Sequence, residues 1–176
     1  MFRRRARRAE AAEGAPAGTR YLLREKMLTF GDDFWIENER GERAFKVDGK
    51  ALRLRKTFVL EDAAGGEIAR IQERKLTLRD KIAIERGGDT AATVHKALVG
   101  IRDRFAIDVK HGADMKAHGN IVDHEYEIER DGDTVASISK RWFGVRDTYG
   151  VEIGEGEDVG LLLATVVALE SLTDPD

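Results

Sequence analysis

The segment Val159–Leu169 carries no charged residue and shows no alternation of apolar and polar positions. At about 100° per residue its Leu, Val and Ala side chains cover nearly the whole circumference of a helix, and a helix apolar all round has to be enclosed. Eleven residues span only about 16 Å at about 1.5 Å each. The hydrocarbon core of a bilayer is about 30 Å thick. The segment is too short to cross a membrane, so its enclosure has to be protein. Asp158 stands at the N-cap position, and Glu155 and Glu157 lie where the helix dipole favours negative charge.

The preceding chain supplies the material for a wall. Leu76 and Leu78 alternate with Thr77 and Arg79, Ile82 and Ile84 with Ala83 and Glu85, and Phe105, Ile107 and Val109 with Ala106, Asp108 and Lys110. Leu52 and Leu54 interleave with Arg53 and Arg55, while Tyr126/Ile128 and Tyr149/Val151/Ile153 continue the pattern. Period two with polar intervening residues predicts strands with one wet face. Turn signals at Arg40-Gly41, Asp48-Gly49, Gly65-Gly66, Gly87-Gly88 and Asp131-Gly132 separate them into an antiparallel meander. The two prolines are Pro16 and Pro175, so the interior keeps every backbone donor that a sheet ladder needs.

The strands also repeat. Asp89–Asp108 aligns without gaps to Asp133–Glu152 at an offset of 44, with seven of twenty positions identical. The later half of this unit recurs at Asp32–Glu37 and Asp80–Glu85, as Asp, any residue, an apolar residue, any residue, Ile or Val, and an acid. The spacings between the leading aspartates are 48, 23 and 44, which points to a unit near 23 residues, two strands and two turns long. An array of such units that closes on itself removes exposed sheet edges. A barrel wide enough to take one helix as its core satisfies both the strands and the apolar helix.

Residues 1–20 differ from this body. They hold six arginines against Glu10 and Glu13, and five of the arginines (Arg3, Arg4, Arg5, Arg7 and Arg8) fall in the first eight positions. The formal net charge of −3 therefore hides a +4 tail on a −7 body. No apolar run follows the arginines, as a secretory or twin-arginine signal would require. The expectation is a disordered basic arm over 1–20 and a barrel domain over 21–174. The arm could touch anionic lipid or nucleic acid by charge alone. The acidic body disfavours phosphate binding elsewhere. With no cysteine, disulfide scaffolds and thiolate metal sites are excluded.

At several points the chain resembles the LURP-one-related family, whose domain belongs with the tubby C-terminal and phospholipid scramblase domains. The segments that carry the resemblance are Tyr21–Asn38, Val47-Asp48-Gly49-Lys50 and Val122–Ile153 with Trp142 and Asp147-Thr148-Tyr149-Gly150. Gly156-Glu157-Asp158 before the apolar helix matches as well. The resemblance covers Tyr21 to about Asp174 and leaves out the arginine-rich tail. It implies a mainly β fold, a closed antiparallel barrel of about twelve strands around a central C-terminal helix. It implies little about activity. Tubby-type relatives bind phosphoinositides, but no segment here matches their head-group lysines and arginines.

Few residues point to chemistry. Gly154–Gly160 looks like a dinucleotide loop, yet its three acids crowd the helix N-terminus where a pyrophosphate needs positive potential, so a turn and a cap are expected and no cofactor. Asp32, Asp80, Asp103 and Asp147 share strand parity with the apolar residues that follow them. On continuous strands they would point inward at one rim, where four carboxylates could bind a cation or form a polar pocket. The favoured alternative is that each marks a bend, bonded to backbone amides or to Arg79, Arg102 or Arg146. His95, His111, His118 and His124 lack the spacing that focuses a metal site; His118 and His124 flank Asn120 and Asp123 in what reads as a loop. Ser137 and Ser139 lie in a strand without a nucleophile elbow.

The expectation is a non-enzymatic binding or scaffold module without cofactor or metal. It is expected to be cytoplasmic, with an anionic phospholipid surface or a protein as partner. The competing readings are an enzyme or a small-ligand or cation carrier using the Asp rim, and nucleic-acid contact through the tail.

Overall fold

The computed structural model describes residues 18–24, 33–49, 56–74, 80–97, 104–144 and 146–173. Among the described residues, twelve strands are arranged as β1(Thr19–Arg24), β2(Asp33–Asn38), β3(Arg43–Gly49), β4(Thr57–Asp62), β5(Glu67–Arg74) and β6(Lys81–Arg86). They continue as β7(Asp89–Lys96), β8(Arg104–Val109), β9(Met115–Asn120), β10(Glu125–Arg130), β11(Asp133–Ser139) and β12(Thr148–Ile153), followed by one helix, α1(Val159–Thr173). Each strand pairs antiparallel with its neighbours in sequence, and β1 pairs with β12, so the sheet closes into a barrel.

The alternation seen in the sequence becomes an inside and an outside. Inward residues face one another in register round the wall: Val47 opposite Leu60, Phe58 opposite Ile71, Ile71 opposite Ile84, Val94 opposite Ile107 and Ile138 opposite Val151. All are buried, and most are completely so. In three of the four repeats the acid that follows the apolar series takes a basic partner from the adjacent strand on the outside of the wall. Glu152 accepts from Arg20 at 2.6 Å, Asp108 meets His95 at 2.9 Å, and Glu85 pairs with Arg74.

The repeat is a hairpin repeat. β7–β8 and β11–β12 are the two aligned segments, each an odd strand followed by an even one. Register shifts fall after Ile36, Leu60, Ile84 and Ile128, each followed by Glu. Such bulges bend and twist the strand, as a closing sheet requires. The turns beyond them are built to match. Gly87 and Gly88 have φ of 57° and 86°, and Asp131 and Gly132 have 52° and 83°. Two successive positive φ values are those of the hairpin turn whose twist suits its strands. In the longer turns the Asn38 side chain accepts from the amides of Arg40 and Glu42, and that of Asp62 from Ala64 and Gly66.

α1 fills the barrel. Leu162, Leu163, Ala164, Val166, Val167, Ala168 and Leu169 are each at most 1% exposed. Its buried Thr165 returns its hydroxyl to the Leu161 carbonyl at 2.8 Å, which removes an otherwise unpaired donor from the core.

Three expectations shift. Asp48-Gly49 is not a turn: Asp48 pairs with both Asp33 and Val59, so β3 runs through Gly49. The region of His118 is not a loop but β9, whose inward residues Met115 and Ala117 are separated by polar ones. The barrel also begins earlier than residue 21, because Arg20 lies in the β1–β12 ladder and its guanidinium sits 5.0 Å from the Trp142 ring. The strands expected around Leu52–Arg55 and Leu76–Arg79 lie outside the described residues.

Candidate functional site

A barrel filled by its own helix leaves the two rims and the outer wall to meet a ligand. At the rim where α1 enters, Asp158 caps the helix by accepting from the Leu161 amide at 3.1 Å. Arg86 grips the same carboxylate with both terminal guanidinium nitrogens, at 2.6 and 2.8 Å. The Arg86 hydrogen bonds, helped by the Leu161 amide, hold the Asp158 carboxyl below its ordinary range. Beside it Arg130 binds Glu157 at 2.6 Å. Two of the three glycine-loop acids, Glu157 and Asp158, are thus taken up by arginines, and the loop is a turn and a cap.

The rim where α1 ends holds a half-buried polar cluster. His124, at φ 53° in the β9–β10 turn, bonds through Nδ1 to Glu170 at 2.9 Å and stacks on Tyr149, with centroids 4.2 Å apart and planes 3° from parallel. The Tyr126 hydroxyl donates to the same Glu170 oxygen at 3.4 Å. Burial first, and then the Glu170 charge, push the Tyr126 phenol well above its usual range. Ser139 nearby donates to Glu125 at 3.0 Å, and the same Glu125 oxygen accepts from the Lys140 amide. These groups tie the end of the helix to the wall and are spent on one another.

The outer wall carries a different arrangement. Glu127 and Glu129, two apart on β10, project from one face of the strand. β9 runs beside it with His118 directly opposite Glu127. His118 Nε2 lies 2.8 Å from a Glu129 oxygen, and one ligand atom from each of the three residues falls within 4.8 Å of the others. Glu129 also lines an open cleft of about 640 Å³ between the β8–β9 and β10–β11 turns, together with Gly112, Asp114, Lys116, Asp131 and Gly132.

The residues singled out from the sequence fare differently. Arg3, Arg4, Arg5, Arg7, Arg8, Asp32 and Asp103 lie outside the described residues. Asp80 immediately precedes β6 and is exposed, and Asp147 is exposed in a turn at φ 57°. For these two the inward geometry is not realised, because the strand starts after each of them and its parity does not extend back. Neither joins a group of three ligand-bearing residues among the described ones; the group that forms is His118, Glu127 and Glu129. The sequence alone does not announce it, although Glu127 and Glu129 carry the two-residue spacing of one strand face. Its third member comes from another strand.

The LURP-one-related family matches residues 19–170, from the first barrel strand into the last turns of the helix. The chain belongs to the LURP-one-related family. A relative is YxjI, an uncharacterized protein of Bacillus subtilis (strain 168), 28% identical over 106 residues, which are 60% of this chain and 64% of YxjI. The aligned part therefore spans just under two thirds of that relative. An X-ray structure of a protein from Arabidopsis thaliana superposes with a TM-score of 0.67 at 17% identity, covering 91% of this chain and 94% of the plant protein. At that identity the likeness speaks for the barrel alone.

Proposed function

We propose that this LURP-one-related domain is a non-enzymatic binding module that meets its partner from outside the barrel, in the cytoplasm. The reading rests on the filled interior: Leu163, Ala164, Val166 and Leu169 are wholly buried, so a substrate has no room beside the helix. The rim polar groups support it too, since Asp158, Glu157 and Glu170 are committed to Arg86, Arg130 and His124. None of the described helices is long and apolar enough to cross a membrane.

Attachment to an anionic phospholipid surface then falls to the basic N-terminal segment, where Arg3, Arg4, Arg5, Arg7 and Arg8 outnumber Glu10 and Glu13. Each basic residue near such a surface contributes about 1 kcal/mol and is screened within a Debye length. Sedimentation with phosphatidylserine-containing vesicles tests this on the full chain. Binding should fall about tenfold or more in half-molar salt, or when all five arginines are changed to Gln (Arg3→Gln through Arg8→Gln). Equal binding by the five-site variant would remove the tail from the account.

A further inference from the structure

We propose that His118, Glu127 and Glu129 form a binding site for a divalent transition-metal cation, zinc foremost, on the outer wall of the barrel. Nothing in the outer-surface reading of the domain requires it; it stands on the geometry of β9 and β10.

The ligand set comes first. One imidazole nitrogen and two carboxylates give three donors whose charge neutralises a divalent ion when the imidazole is neutral. Imidazole selects zinc and its first-row neighbours, whereas calcium and magnesium take oxygen ligands. Three protein ligands leave a further position open, the arrangement of zinc sites that also bind water or a small ligand.

Placement comes second. The β9–β10 register sets His118 against Glu127, and strand periodicity puts Glu129 on the same face. Zinc bonds of about 2.0–2.1 Å place tetrahedral ligands about 3.3 Å apart. The His118–Glu129 pair is already at 2.8 Å, and all three donor atoms lie within 4.8 Å of one another. A small rotation of exposed Glu127 closes the remainder, and the barrel wall need not move.

Charge comes third. Two carboxylates side by side on one strand repel, and the Glu127 side chain has no hydrogen bond or ion pair within the described residues. Lys116 stands opposite Glu129 in register, yet the Glu129 carboxylate turns to His118. The adjoining cleft adds Asp114 and Asp131 against that one lysine, so the local field favours a cation at the open position.

Isothermal titration of the full-length, chelator-stripped protein with Zn²⁺ tests the site, with Co²⁺ absorption as a second readout. One equivalent should bind, and the cobalt complex should show the visible bands of a low-coordinate nitrogen–oxygen site. His118→Ala and Glu127→Gln should each weaken zinc binding at least tenfold and abolish the cobalt bands. Glu127→Gln is the safeguard on folding, since it is isosteric and removes no contact within the described residues; apo-protein melting should match the parent. Absence of saturable zinc uptake would overturn the proposal. So would uptake unchanged in both variants, or magnesium or calcium binding as tightly as zinc.

Discussion

At the scale of the residue, Asp158 does two jobs with one carboxylate. It caps α1 through the Leu161 amide and neutralises Arg86, whose Nε is buried without a partner. Removing the carboxylate leaves a helix amide unsatisfied and a half-buried guanidinium without its anion. Asp158→Ala should cost about 1–2 kcal/mol in urea unfolding, and Asp158→Asn, which keeps an acceptor for the cap, should cost less. The pH dependence follows from the depressed folded-state value. The native carboxylate binds protons less readily than the unfolded one, whose ordinary value is 3.8. Its contribution is therefore complete above that value and is lost as pH falls from there through the lower folded-state value. Urea midpoints measured between pH 3 and 7 should show a shallower acid decline in Asp158→Asn than in the parent. Coincident curves would deny Asp158 this role. Its position was legible in the sequence, because an N-cap is a local feature. Arg86 was not, since it lies 72 residues away.

At the scale of the element, α1 is the part the sequence specified most tightly. An uncharged run, apolar on every side, admits no orientation that leaves one face wet, and the structure leaves none wet. The energetic consequence is that every face of the helix is a core face. Leu163→Ala and Leu169→Ala, on different faces of α1, should each cost about 2–5 kcal/mol, by lost burial and by the cavity left behind. Calorimetric melting reads this directly; a near-neutral substitution at either position would mean that this side of the helix is loosely packed. The strands were legible in proportion to their alternation. β8, β10 and β12 follow the periodicity, and the repeat marked β7 and β11. β9 escaped because its inward side chains are small or unbranched and it contains Gly119. A Cβ at Gly119 would come within 2.7 Å of the Glu125 carbonyl and 2.8 Å of the Tyr126 Cα at φ 126°, so glycine is required where a strand-forming residue would have announced the strand.

At the scale of the whole molecule, closure depends on a ladder between β1 and β12, in which Arg20 and Glu152 meet across 132 residues of chain. Wall and helix are mutually dependent: the strands turn a continuous apolar face inward, and among the described residues α1 is the element that covers it. A chain ending at Gly156 should lose cooperative unfolding and bind a hydrophobic dye, as compact states without specific packing do. A sharp transition at the parent temperature would show that the wall stands without its core. The sequence by itself determined the inventory and its logic. It specified strands with one wet face, hairpin repeats separated by glycine turns, and a helix that must be enclosed, because periodicity and turn chemistry act over a few residues. Which outward side chains become neighbours was decided by the tertiary structure alone. His118 meets Glu127 and Glu129, His124 meets Glu170, and Arg86 meets Asp158 through strand register, a bulge-corrected closure and the seating of the helix. Those are set by the sum of all inward contacts, and no single segment contains that sum.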